Sequence, residues 1–146
     1  MTQVKGTLLY RKYRSNRNDK TKGLYYARAV HDRTLEFDDL VAHVASHNST
    51  FSRGTINGVL LDTLDCLKEL ILDGKQVRLG DLGLFSIGIT TTGTESAADW
   101  NPAKNLCGVK LRVRNTKEWS NDELHDRISF AEDSEYDIGD EDGTEE

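Results

Sequence analysis

Apolar residues recur along this chain with two different periods, and the changes of period mark its elements. Over residues 37–47, Phe37, Leu40, Val41, Val44 and Ala45 follow the i, i+3, i+4, i+7, i+8 spacing of one helix face. Glu36, Asp38 and Asp39 put negative charge at the end where the helix dipole favours it. Asn48-Ser49-Thr50 break the pattern, and Ser52 is the N-cap of a second helix expected to run to about Leu72. Ile56, Val59, Leu60, Leu64, Leu67, Leu70 and Ile71 form a wide stripe on it. Leu61 falls off that stripe, which predicts burial on more than one face. Two helices in one chain can hardly cover so much apolar surface, and a homodimer with interleaved helices would account for the excess.

After Asp73-Gly74, a natural helix stop, the period changes to two. Val77 and Leu79 alternate with Gln76 and Arg78, Gly80-Asp81-Leu82-Gly83 supplies a tight turn, and Phe85, Ile87 and Ile89 resume the alternation. The β-branched Thr90, Thr91 and Thr92 carry that strand outward as one side of a β-ribbon. The polar segment that follows is long for a compact domain, which marks it as functional or mobile. A return strand is expected over residues 109–115. It sorts completely, with Val109, Leu111 and Val113 on one side and Lys110, Arg112 and Arg114 on the other. Upstream, residues 4–13 and 24–30 predict two strands joined by a flexible basic loop. Downstream, Ser120-Asn121-Asp122-Glu123 has capping-box form. It predicts a short helix with Leu124 and Ile128 on its buried side, then a strand over 128–130. From Ala131 onward, too little apolar surface is present to offset the entropy of ordering, so disorder is expected.

The segment Val77-Arg78-Leu79-Gly80-Asp81-Leu82-Gly83-Leu84-Phe85, placed directly after a second helix, resembles the HU/IHF family of bacterial histone-like DNA-binding proteins. Their signature there is V-x-L-x-G-x-G-x-F, and here the first glycine falls one residue early. The resemblance covers about residues 36–115. More narrowly, the chain looks like divergent HU-like proteins with an extra N-terminal segment found in some gut bacteria. It implies an α+β, HU/IHF-like fold: a helical hairpin under a small antiparallel sheet with a β-ribbon arm. The expected divisions are an N-terminal β-hairpin extension over 1–33, the HU-like DNA-binding domain over 34–130, and an acidic disordered tail over 131–146. The implied function is binding and bending double-stranded DNA as an intertwined homodimer with low sequence specificity, in the cytoplasm at the nucleoid.

Charge complicates that picture. The net charge is −6, but residues 1–33 carry nine Lys or Arg against two acids, residues 34–119 nine against eleven, and residues 120–146 one against twelve. The acidity is therefore mostly C-terminal and leaves room for a local basic face. The acidic tail would compete with phosphate for that face at low salt. Lys104, Lys110, Arg112 and Arg114 are expected to supply ribbon charge, with Arg78 and Arg53 adding phosphate contacts that position a duplex without reading its sequence. Arg11, Lys12, Arg14, Arg17, Lys20 and Lys22 form either a second phosphate-contacting arm or a solvated hairpin loop. In the family, arm-tip prolines within Arg-Asn-Pro-x-Thr-Gly wedge between base steps. This chain has Trp100-Asn101-Pro102-Ala103-Lys104-Asn105, so Pro102 is a wedge, a residue past the tip, or a turn proline. The outgoing strand carries no Lys or Arg, which keeps open an HU-like dimeric structural or protein-interaction module that has lost DNA binding.

Other chemistry is sparse. His43 and His47, at i and i+4, have a zinc-compatible spacing but lack a third ligand in the sequence pattern, and exposed helix histidines are the simpler account. Cys66 reads as a small core hydrophobe and Cys107 as inert. No catalytic constellation, cofactor motif or small-molecule site is expected. No apolar run approaches the roughly 20 residues of a membrane span.

Overall fold

The structure, a computed structural model, describes residues 5–133 and divides into two compact units. One comprises residues 35–124; the other joins residues 5–34 to 125–133. The architecture is α+β.

In the larger unit, helix α1 (Phe37–Ser46) begins where the Glu36 amide donates to the Asp39 carboxylate at 3.0 Å. Asn48, in the left-handed conformation, turns the chain after it. Helix α2 (Arg53–Leu72) starts as its sequence demands, with the Thr55 amide donating to the Ser52 hydroxyl at 3.1 Å. It ends in a Schellman motif: Gly74 donates to the Ile71 carbonyl and Lys75 to that of Leu70, with Gly74 at φ +78°. Strands β3 (Val77–Leu79), β4 (Gly83–Thr91) and β5 (Leu106–Asn115) follow as an antiparallel sheet in the order β3-β4-β5. The return strand starts at Leu106, three residues before the expected Val109. Backbone pairing continues past a register shift at Thr90/Thr91, where side-chain alternation no longer signals it.

The core of this unit is small. Only Val41, Ile56 and Ile71 are buried apolar side chains among the described residues. Leu64 and Ile71 of α2 line a cleft of about 450 Å³ with Phe85, Ile87, Val109 and Leu111 of the sheet. On another flank of α2, Val59, Cys66 and Leu70 line a second cleft with Val77 and Leu79. The helix thus has two apolar flanks, both made by residues of its expected stripe, while Leu61, expected to extend the burial, lines neither and is exposed. Cys66, expected in the core, is exposed, because the described residues cover the second flank only in part.

In the smaller unit, strands β1 (Gly6–Arg14) and β2 (Tyr25–Val30) form the expected antiparallel hairpin, from Leu9↔Val30 to Arg14↔Tyr25. Its connection is not the loose loop expected. Ser15 donates to the Leu24 carbonyl and accepts from the Gly23 amide, and its buried hydroxyl meets that of Thr21 at 3.1 Å. Helix α4 (Asn121–Arg127), which begins in the larger unit and ends in the smaller, follows Ser120, whose hydroxyl accepts from the Glu123 amide at 3.4 Å. It leads to β6 (Ile128–Glu132), which pairs in parallel with β1, Gly6↔Ile128 through Tyr10↔Glu132. The hairpin therefore does not extend the ribbon sheet; it belongs to a separate sheet in the order β2-β1-β6. The expected boundary at residue 130 falls inside β6, and Ala131 and Glu132 are strand residues because β1 supplies their backbone partners. The remainder of the expected disordered tail, residues 134–146, lies outside the described residues.

Candidate nucleic-acid interface

Period-two alternation sorts the β3-β4-β5 sheet into two chemically different faces. On one face the cross-strand pairs are Phe85↔Val113, Ile87↔Leu111 and Ile89↔Val109. On the other, Arg78 pairs with Leu84 and Leu84 with Arg114, making one row across three strands. The next rows are Ser86↔Arg112 and Gly88↔Lys110. Arg78, Lys110, Arg112 and Arg114 are thus brought onto one face, and all four are exposed. None has a carboxylate partner among the described residues. The face opposite α2's cleft is therefore a patch of four uncompensated cations on a rigid backbone. Such a patch attracts polyanions.

Two small residues shape this face. A Cβ at Gly88 would lie 2.6 Å from Cδ and 2.8 Å from Nε of Arg112, so the Arg112 side chain lies across the Gly88 backbone. Gly83 lets the strands approach closely, since a Cβ there would meet the Arg114 carbonyl oxygen at 2.6 Å. Sequence reasoning missed the role of Gly88. Its only signal was a glycine inside an otherwise alternating strand, a pattern that marks close approach by another group.

The ribbon's far end is folded back on itself. Thr92 donates to the Asn105 carbonyl at 2.9 Å, and the Trp100 indole donates to the Thr92 carbonyl at 3.3 Å. After a 3₁₀ turn at Ala97–Asp99 comes a one-turn helix, α3 (Pro102–Asn105), capped by the Asn101 side chain, which accepts from the Ala103 amide. Pro102 occupies the first position of that helix, where its fixed φ and missing N–H are at home. The structure places it in a turn, on the return side of the ribbon's end. Lys104 lies in the same turn, exposed.

The remaining expected contacts are scattered. Arg53 is the first residue of α2, and its guanidinium reaches the Asp38 carbonyl at 3.5 Å. At 1.5 Å per residue it stands roughly 20 Å along the helix from Leu67, which lines both clefts under the sheet. In the other unit, Arg11 and Lys12 are strand residues already paired with Asp133 at 2.5 Å and Glu132 at 3.2 Å. Arg14 ends β1, while Arg17, Lys20 and Lys22 lie in the connection to β2. Arg28 stacks over the Tyr13 ring at 5.8 Å from its centroid. On α1, His43 and His47 bring their Nε2 atoms to 3.1 Å, and no cluster of three potential metal ligands exists among the described residues. None of the described helices is long and apolar enough to cross a membrane.

A two-faced β-ribbon standing beside a helical pair, one face basic and the other aliphatic, is the architecture of an HU-like domain. The chain belongs to the HU-HIG family, described as an HU domain fused to wHTH, Ig, or glycine-rich motif, whose model matches residues 8–118. It is similar in fold to the crystal structure of a putative bacterial DNA-binding protein from Bacteroides vulgatus ATCC 8482, with a TM-score of 0.65 at 13% sequence identity. The match covers 90% of this chain and 50% of that one, so the chain spans about half the length of its structural relative. No curated protein matches the chain.

Proposed function

We propose that this protein binds double-stranded DNA through the basic face of the β-ribbon, as a homodimer, and bends it with little sequence preference. The observation that carries this reading is the row Arg78–Leu84–Arg114 with Arg112 and Lys110 beside it, four cations on one face without an internal counter-charge. Arg and Lys contacts to phosphate position a duplex and carry no sequence information, which is the source of the low specificity. Membership of the HU-HIG family, and the likeness in fold to a Bacteroides protein named as a putative DNA-binding protein, support the same reading.

The aliphatic face supports the dimer. Val109 and Leu111 are 68% and 61% exposed in the single chain, as are Leu64, Leu70 and Leu72 to lesser or similar degrees. Each is already partly covered, so burying the remainder contributes less than the roughly 1.5–3 kcal/mol of a full burial, and several together favour a second copy on this side. Two copies present two ribbons, and DNA held on both must follow the surface between them. That geometry bends the duplex, at an elastic cost offset by the greater length of phosphate backbone held against the basic faces. Pro102, at the start of a helical turn, is not needed as a wedge in this scheme.

The test is a fluorescence-anisotropy titration of a 30-base-pair duplex at several salt concentrations, with Arg112→Ala/Arg114→Ala alongside. Eight ribbon cations per dimer predict log K falling with log salt at a slope of about −7, and the double mutant should flatten it to about −4. A protein-interaction module that has lost DNA binding would show no affinity at any salt. That outcome would sink the proposal, and the uncharged outer face of β4 (Ser86, Gly88, Thr90) is what favours it.

A further inference from the structure

We propose that the basic end of the β1–β2 hairpin is a docking surface for acidic peptide, and that its occupant is residues 134–146 of the same chain. The direction of β6 carries the inference. Because β6 runs parallel to β1, the chain leaves Asp133 heading the way β1 runs from Arg11 to Arg14, towards the connection at 15–24. The pairing has already begun within the described residues. Glu132 meets Lys12 at 3.2 Å, Asp133 meets Arg11 at 2.5 Å, and the Asp133 amide donates to the Tyr10 carbonyl.

Beyond those pairs lie Arg14, Arg17, Lys20 and Lys22, none with a carboxylate partner among the described residues. The one acid of the connection, Asp19, is turned onto Thr21 instead, and Lys22 reaches only the Asn18 side chain at 3.4 Å. Residues 134–146 contain seven acids (Glu135, Asp137, Asp140, Glu141, Asp142, Glu145 and Glu146) and no Lys or Arg. At about 3.3 Å per residue, three residues of extended chain bring the segment level with Arg14, and the rest reach well past the connection.

Each exposed ion pair is weak on its own. The segment is tethered directly to a strand already in place, however, so its effective concentration is on the order of millimolar and several weak pairs act together. The contact is screened by salt within a Debye length of about 8–10 Å. It does not rest on DNA binding by the ribbon.

The test is zero-length carbodiimide cross-linking of the full chain, with the products mapped by mass spectrometry. Lys12–Glu132 is the internal standard, since its product reports that the β1–β6 pairing is intact. Amide links from Lys20 or Lys22 to acids of 134–146 are expected at low salt, falling several-fold in 500 mM salt. Arg14→Glu/Arg17→Glu, which leaves both reacting lysines in place, should reduce those links several-fold while the Lys12–Glu132 product persists. Links confined to Lys104 or Lys110, links formed only between differently labelled copies, or yields unmoved by the charge reversal would each overturn the proposal. So would the standard forming alone.

Discussion

The guanidinium stem of Arg112 lies across the backbone of Gly88, so close that a Cβ on Gly88 would stand 2.6 Å from Arg112 Cδ. Gly88 is one rung along β4 from Ser86, the residue directly opposite Arg112 on β5. The glycine thus sets the direction in which a cation of the basic face lies. Gly88→Ala should push the Arg112 side chain aside while leaving the strand pairing intact, since the displaced group is flexible. Duplex affinity is expected to fall about threefold to tenfold, with thermal stability changed by less than about 1 kcal/mol. Anisotropy and thermal unfolding measured together check this. A large loss of stability with unchanged affinity would contradict it.

Gly83 makes the opposite case. The atom its Cβ would meet is the Arg114 carbonyl oxygen, and backbone cannot swing away as a side chain can. Gly83→Ala should therefore destabilise the fold by about 1–3 kcal/mol, the usual range for forced backbone shifts. Chemical denaturation measures it, and an unchanged midpoint would show that β4 and β5 are less tightly apposed at this end.

Cys66 tests the dimer. It is exposed on the flank of α2 that it shares with Val59 and Leu70, a surface that a second copy would cover. Cys107, also exposed, lies near the outer end of the ribbon on β5. In the assembled protein Cys66 should react with a thiol reagent at least about tenfold more slowly than Cys107, and the difference should narrow on dilution as copies separate. Equal rates at high concentration would leave that flank open.

Asp19 supplies a pH signature for the hairpin end. Its carboxylate accepts from the Thr21 hydroxyl at 2.5 Å and the Thr21 amide at 2.7 Å, and these bonds hold its pKa below the ordinary aspartate value. A group with a depressed folded pKa contributes order above its unfolded pKa and loses it as pH falls through the folded one. The Thr21 amide resonance should therefore move only at pH below the ordinary aspartate range, and Asp19→Asn should abolish that movement. A midpoint at or above the ordinary value would show that the turn does not hold the carboxylate.

Much of the larger unit was legible in sequence because its determinants are local. Ser52 and Gly74 carry the caps of α2 in their own chemistry, and both ends of that helix fall where they require. The alternation Val109-Lys110-Leu111-Arg112-Val113-Arg114 determines a two-faced strand whatever its partner, since neighbouring side chains of a strand point to opposite sides. The apolar stripe of α2 likewise announced more surface than the described residues bury. Tertiary structure alone decided that β6 joins β1 and which charges are already spent. β1 and β6 meet across more than a hundred residues through backbone hydrogen bonds that every residue type but proline can make, so no side-chain pattern encodes the choice. That pairing places Asp133 and Glu132 on Arg11 and Lys12, and separates those two from the cations of the hairpin end that the sequence grouped with them. The turn at Pro102 and the lie of Arg112 over Gly88 are of the same kind: each depends on what the fold brings alongside, and a linear pattern records only what stands next in the chain.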